Sequence, residues 1–330
     1  MSKTVAIVGA AHIHTPGFIE SINKRDGFTC KYVWDHDRDR AEKRAAQLPG
    51  AVVADDVATV ANDTDVDAVI VCSETNRHEK LVLPLAQAKK HLFVEKPLGF
   101  AGADAYKMAQ AIEDAGVFFQ TGYFSRGGAS AIFLKEQVEK GAFGKITRVR
   151  ASNCHSGALG RWFDTEWRWM ADPVQSGVGG FGDLGTHVLD ILLWIFGDVT
   201  SVTAQLDTGT GAYEGCDETG EGLMRFASGI IGTFAAGWDD IADPVRYLIS
   251  GTEGHAAVIN GKLQLKGKAF EGVDTEALQG KPAGLDSFFD AVEGKPAELV
   301  SAREAAYRSA VMEALYQGAR ENRWVTPVTG

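Results

Sequence analysis

Short aliphatic runs alternate with amphipathic stretches along the first third of the chain. Thr4-Val5-Ala6-Ile7-Val8 is continuously apolar and breaks into Gly9-Ala10-Ala11-His12-Ile13-His14-Thr15-Pro16-Gly17. A second run, 28–34, ends in Asp35-His36-Asp37 and gives way to a charged helical stretch, 38–47. The unit recurs as Ala51-Val52-Val53, a short helix, an apolar run at 68–72, a helix at 78–88 and a run at 91–94; 117–120 reads as a last strand. Strands that are apolar throughout, separated by helices, predict a parallel sheet covered on both faces. That is the pattern of a dinucleotide-binding domain, here over residues 1–121.

Beyond a polar crossing at 123–128 and a helix at 131–140, the rhythm changes. Strands at 146–154, 199–206, 220–226, 229–236, 246–251 and 255–259 follow one another without regular helices. They predict a mostly antiparallel sheet in a second α/β domain, 122–330, with one face open or covered by a partner. A buried helix at 180–196 would lie across this sheet. Helices at 285–293 and 301–322 end the chain, the latter expected to pack back on the first domain, and 262–282 is expected to be the least ordered stretch.

Composition narrows the function. A formal charge of -11 over 330 residues, with 45% hydrophobic content, supplies two cores and an acidic surface. Nucleic acid and anionic membranes call for basic patches, so neither is expected as a partner. Four cysteines, Cys30, Cys72, Cys154 and Cys216, are too widely spaced to suggest a disulfide framework or a zinc knuckle. No signal peptide precedes the first strand, and the longest apolar run, 188–196, is short for a bilayer, so a soluble cytoplasmic protein is expected.

The first domain carries mixed cofactor evidence. Only Gly9 stands where a G-x-G-x-x-G turn wants it; Ala11 and His14 replace the other two glycines, and the latter would crowd the helix against the sheet unless the helix begins differently. Asp35, at the end of the second strand, is placed to accept the ribose hydroxyls of NAD and to repel the extra phosphate of NADP, with His36 beside it; a plain turn aspartate is the alternative. His12 and His14, flanking Ile13, read equally as cofactor contacts or loop histidines. No third ligand is close in sequence, so no metal is expected. Ser73-Glu74-Thr75-Asn76-Arg77-His78 and Glu95-Lys96-Pro97 follow strands at the sheet's carboxyl edge, where ligands bind. Lys96 would emerge beside the nicotinamide, unless it is an ordinary surface lysine.

In the second domain, Asp183, His187 and Asp190 stand at i, i+4 and i+7 of the apolar helix and share one face. An acid-base-acid row on a buried helix asks for partners or a purpose. The segment His155-Ser156-Gly157-Ala158-Leu159-Gly160-Arg161-Trp162-Phe163-Asp164-Thr165-Glu166-Trp167-Arg168-Trp169 suits a polyhydroxylated ligand, with rings for its C–H faces and charged forks for its hydroxyls. His155, Arg161, Trp162 and Trp167 are its candidate substrate contacts, together with Tyr123 at the crossing; core or interface anchoring is the competing reading for the tryptophans. Trp238-Asp239-Asp240 is a further candidate for the same cleft.

Glu95-Lys96-Pro97 and Gly179-Gly180-Phe181-Gly182-Asp183-Leu184-Gly185-Thr186-His187, roughly 85 residues apart, resemble the glucose-fructose oxidoreductase / inositol dehydrogenase / rhizopine catabolism (Gfo/Idh/MocA) family. The resemblance implies a Rossmann domain, a C-terminal α/β domain whose open sheet mediates dimer or tetramer formation, and bound NAD or NADP. It places the family's catalytic lysine, aspartate and histidine on Lys96, Asp183 and His187. The expected activity is reversible oxidation of a secondary ring hydroxyl of a sugar, glycoside or inositol. NAD-dependent glycoside hydrolysis through transient oxidation and a non-catalytic cofactor-binding role are the alternatives. His14, and Glu74-Thr75 where the family usually has proline-asparagine, depart from the pattern at the cofactor's seat.

Overall fold

The computed structural model describes residues 2–330. Six strands, β1 (Lys3–Ala10), β2 (Phe28–Trp34), β3 (Val52–Val53), β4 (Ala68–Cys72), β5 (His91–Val94) and β6 (Phe119–Thr121), form the first sheet. They are linked by α1 (Thr15–Lys24), α2 (Arg38–Ala45), α3 (Val57–Asn62), α4 (His78–Gln87) and α5 (Gly102–Ala115). Every pairing is parallel, in the order β3-β2-β1-β4-β5-β6. This is the doubly wound Rossmann order, whose reversal between β1 and β4 opens a crevice at the strands' carboxyl ends. All residues of β4 are buried, as helices on both faces require. Asp37 and Asp56 cap α2 and α3 by accepting the Arg40 and Thr59 N–H groups, each contact contributing about 1 kcal/mol.

The second sheet is built from β7 (Ile146–Cys154), β8 (Val199–Asp207), β9 (Thr219–Phe226), β10 (Ile231–Gly237), β11 (Val245–Gly251), β12 (His255–Ile259) and β13 (Lys262–Lys266). Its order is β13-β12-β11-β7-β10-β9-β8, antiparallel except that β7 and β10 run parallel. The helices are α6 (Ala129–Glu139), the single turn α7 (Pro173–Ser176), α8 (Gly180–Phe196), α9 (Leu285–Val292) and α10 (Ala302–Glu321). The region 262–282, expected to be the least ordered stretch, begins with β13, because Leu263 and Leu265 alternate with Lys and Gln in register with β12, and continues as irregular chain with two 3-10 turns.

α8 lies on β10 and β7. A methyl group on Gly185 would stand 2.9 Å from the Phe234 ring, so glycine sets how closely this helix approaches the sheet. The stretch Pro173–Phe196 is long and apolar enough to cross a bilayer by composition, yet 83% of its most apolar window is buried inside the fold.

The chain then returns to the first unit. Leu285, Phe288, Phe289 and Val292 of α9 share a core with Phe28, Ile70 and Phe93. Ala302, Ala305 and Ala306 of α10 pack with Leu98, Met108 and Ala109, so the tail completes the first sheet's covering layer.

Candidate active site

The strand β5 ends at the crevice and delivers Lys96, while the first turn of α8 delivers Asp183 from the other unit. Lys96 Nζ lies 2.6 Å from Asp183 Oδ1, and Trp238 Nε1 donates to Asp183 Oδ2 at 3.1 Å. Burial pushes the Asp183 pKa up, but the charge and hydrogen bond of Lys96 outweigh it and hold the carboxyl well below its usual range.

His187 follows one turn later, buried at 7% exposure. Burial, then the Lys96 charge, drives its pKa well below 6.5 against the opposing pull of Asp183, so the imidazole is neutral. Nδ1 is sealed in without a partner, leaving Nε2 as the ring nitrogen toward the cavity. An orphaned buried nitrogen costs about 1–3 kcal/mol, which marks a side chain kept for chemistry. Lys96, Asp183 and His187 share a cavity of about 300 Å³ with Ile13, His14, His155 and Trp162. The His155 ring packs against Trp162 at 4.7 Å and accepts the Gly157 N–H, and burial lowers its pKa.

Other predicted residues stand elsewhere. Asp190, the third member of the row, turns from His187 to the Arg126 and Arg308 guanidinium groups at 2.5 and 2.9 Å, joining α8 to the crossing and to α10. Tyr123 sits behind His187, its ring edge-on at 6.2 Å and its hydroxyl 2.8 Å from Thr186 Oγ1, and lines a separate cavity. Arg161 pairs with Asp164 and the Ala212 carbonyl and lies over Tyr213, away from the reacting groups. Trp167 packs against the second unit's core.

At the cofactor end, Gly9 has φ +77°, and a Cβ there would lie 2.4 Å from Ser73 Cβ; only glycine passes. α1 starts at Thr15, after His14, which keeps the His14 side chain out of the helix–sheet contact and resolves the crowding expected of it. Asp35 accepts the Ala10 N–H at 2.6 Å and is forked by Arg40 at 2.9 and 2.7 Å. Arg40 also reaches Glu74 Oε1 at 2.9 Å, and His36 Nδ1 lies 3.1 Å from Asp35. Ribose hydroxyls would therefore meet a carboxylate already shared with arginine, beside a Glu74 Oε2 that makes no hydrogen bond and has Arg77 Nε at 3.4 Å. Thr75 lines the crevice, and Asn76 donates to the Val174 carbonyl at 3.1 Å. His78 is buried between the Ser73 and Leu98 carbonyls, bracing both loops from behind.

The premise against a metal needs correcting, because folding supplies the third ligand that is distant in sequence. Donor atoms of His12, His14 and Glu95 lie within 4.8 Å of one another. Here hydrogen bonds join them: His14 Nδ1 meets Glu95 Oε1 at 2.5 Å, and the His14 N–H donates to His12 Nδ1 at 3.2 Å. Burial lowers the His12 pKa to about 3; burial raises that of Glu95, but both histidines override it and hold Glu95 well below its usual range.

A turn too tight for any side chain, an acid at the end of β2 and a crevice at the strand-order reversal fit a dinucleotide. Residues 3–123 match the model described as "Oxidoreductase family, NAD-binding Rossmann fold", and 132–257 match the "GFO/IDH/MocA C-terminal domain". The chain belongs to the GFO/IDH/MocA family. Myo-inositol 2-dehydrogenase of Thermotoga maritima is 30% identical over 69% of this chain and 66% of its own length. Levoglucosan dehydrogenase of Pseudarthrobacter phenanthrenivorans is 25% identical over 59% of this chain and 56% of its own. The chain thus spans less than two thirds of either relative. The WlbA dehydrogenase of Bordetella pertussis, solved with NADH and UDP-GlcNAcA, superposes with a TM-score of 0.85 at 21% identity, covering 100% of both chains, and shares the fold.

Within this family frame, several residues that line or brace the cavity were not among the candidates read from the sequence. Trp169 Nε1 donates to the Ala11 carbonyl at 2.9 Å, laying the second unit directly on the cofactor turn. Phe124, whose ring centre is 5.2 Å from that of His187, and Asn153 and Arg246 on the sheet complete the cavity. Trp169 ends the aromatic segment and Phe124 lies in the crossing, both in 3-10 turns whose partners are distant in sequence. Asn153 and Arg246 sit in no local motif, and their signal is the strand register, which periodicity does not carry.

Proposed function

We propose that this protein is an NAD-dependent dehydrogenase that reversibly oxidises a secondary ring hydroxyl of a sugar, glycoside or cyclitol. The observation that carries the reading is the Lys96–Asp183 pair at 2.6 Å, drawn from two units into one cavity with a neutral His187. When bound, the nicotinamide accepts or returns the hydride at its C4 carbon. Lys96 Nζ donates to the reacting hydroxyl oxygen and stabilises its developing alkoxide charge. Neutral His187 takes the hydroxyl proton at Nε2, in the tautomer that carries its own proton on Nδ1. Asp183 balances the lysine charge and, fixed by Trp238, sets the direction of its N–H bonds. Gly9, Ala11 and Ile13 would hold the dinucleotide at the turn after β1, with Asp35 and Glu74 toward its ribose. Two carboxylates already shared by Arg40 disfavour the added phosphate of NADP.

The test is NADH formation at 340 nm on a panel of inositols, aldoses and glycosides, with product analysis separating net oxidation from glycoside cleavage. His187→Asn should lower kcat by about 10²- to 10⁴-fold while NAD affinity stays unchanged. Full activity in that variant overturns the assignment. The exposed face of the second sheet is proposed to join copies of this chain, which light scattering tests by returning the mass of a dimer or tetramer.

A further inference from the structure

Arg246 enters the cavity from the sheet, where no catalytic group resides. β11 pairs with β12 as Val245↔Ile259 and then Tyr247↔Val258, which makes Arg246 the extra residue of a bulge. Bulges re-aim side chains and recur beside active sites. The guanidinium is held in place. Nη1 donates to Asn153 Oδ1 at 2.7 Å, and Asn153 Nδ2 donates to the Leu184 carbonyl at 3.0 Å, tying the arginine to the residue after Asp183. Asp243 Oδ2 stands 3.5 Å from the same Nη1 and is itself occupied by the Cys154 N–H at 3.0 Å. Five N–H donors and so few acceptors leave part of the fork unspent.

The charges around the cavity give that fork its meaning. Lys96 and Asp183 neutralise each other, and burial keeps His155 and His187 neutral. Asp243 pairs with Arg246 from outside the cavity lining, and Glu95 adds a buried negative charge behind His14. A neutral polyol would accept single hydrogen bonds from the unspent N–H groups, whereas a carboxylate or phosphate takes them in the two-pronged, charge-assisted geometry an arginine favours. Trp162, 44% exposed and packed at a tilt against His155, offers a flat wall for a sugar ring.

We infer that Arg246 is a specificity-determining residue and that the substrate is an anionic sugar or cyclitol, its acid group gripped by Arg246 while a hydroxyl reacts at Lys96 and His187. This inference rests on the dehydrogenase reading for the reaction, but not for the binding. D-glucuronate, D-gluconate and D-glucose 6-phosphate are compared with D-glucose and myo-inositol, in turnover with NAD and in binding by tryptophan fluorescence. At least one acid should surpass both neutral compounds tenfold in kcat/KM, and the uronate, aldonate and phosphate arms separate a carboxylate from a phosphate source. Arg246→Gln should raise KM and Kd for the preferred acid about ten- to a hundredfold and lower its kcat/KM about tenfold more than that of D-glucose; Arg246→Lys should recover part of the loss. Acid binding that depends on Arg246 without any NADH formation keeps this inference and sinks the dehydrogenase reading. Equal handling of neutral and acidic compounds, equal losses on both in Arg246→Gln, or no binding of any acid overturns it.

Discussion

A histidine buried without charge makes a fold sensitive to acid. His12, 2% exposed, has a folded pKa of about 3, against about 6.5 for a free imidazole. Below pH 6.5 the unfolded chain therefore binds a proton that the folded chain refuses. Stability is full above pH 6.5 and should fall toward pH 3 by up to about 1.4 kcal/mol per pH unit for this residue, with His187 shifted in the same direction. Urea midpoints from pH 7.5 to 4.5 measure the slope, and His12→Asn should flatten it. Gly9→Ala tests the turn: a methyl group 2.4 Å from Ser73 Cβ on a positive-φ backbone should destabilise by about 1–3 kcal/mol and weaken NAD binding, read by thermal melts with and without NAD. Lys96, Asp183 and His187 were legible in sequence because helical spacing and strand-end position place them without knowledge of distant partners. Asp190 was not, since Arg126 and Arg308 reach it from 64 and 118 residues away. Arg246 was hidden for a related reason: its aim depends on a slip in β12 pairing.

Among elements, the segment from Phe163 to Ser176 links the two halves of the site. It is pinned to the first unit by Trp169 on the Ala11 carbonyl, by Glu166 at 2.9 Å from Lys43 and 3.3 Å from Arg44, and by Asn76 on the Val174 carbonyl. The exposed Lys43 pair contributes little, Arg44 is buried beneath Glu166, and the indole bond is the contact that reaches the cofactor turn, so it is the part to remove. Trp169→Phe keeps the ring and deletes that bond; NAD should then dissociate several-fold faster in stopped-flow fluorescence. An unchanged rate would detach this segment from cofactor retention. The strands and helices themselves were mostly visible as alternating periods of apolar residues. The parallel pairing of β7 with β10 was not, because a strand's own pattern is silent about its neighbours. β13 was missed because an edge strand with polar alternate positions reads like a loop.

At the scale of the molecule, the first core is incomplete without the tail. Phe28 and Phe93 are covered by Phe289 and Phe288, and the rings of Phe28 and Phe289 lie 4.4 Å apart. A fragment ending at residue 121 should therefore bind a hydrophobic dye and melt without cooperativity, whereas the full chain should melt as a cooperative body; a fragment with sharp thermal unfolding would refute this dependence. The sequence suggested such a return for the last helix, but α9 gave no sign of it, since an amphipathic helix does not say which sheet it serves.

Gln120 shows what that return means. Its side chain donates to Ser287 Oγ at 2.8 Å and accepts the Val300 N–H at 3.1 Å, fastening the point where the chain leaves the cofactor unit to the points where it comes back. Topologically, the second sheet is an insert between the chain's exit at Gln120 and its return at Ser287 and Val300, and this one side chain clasps both ends of the insert.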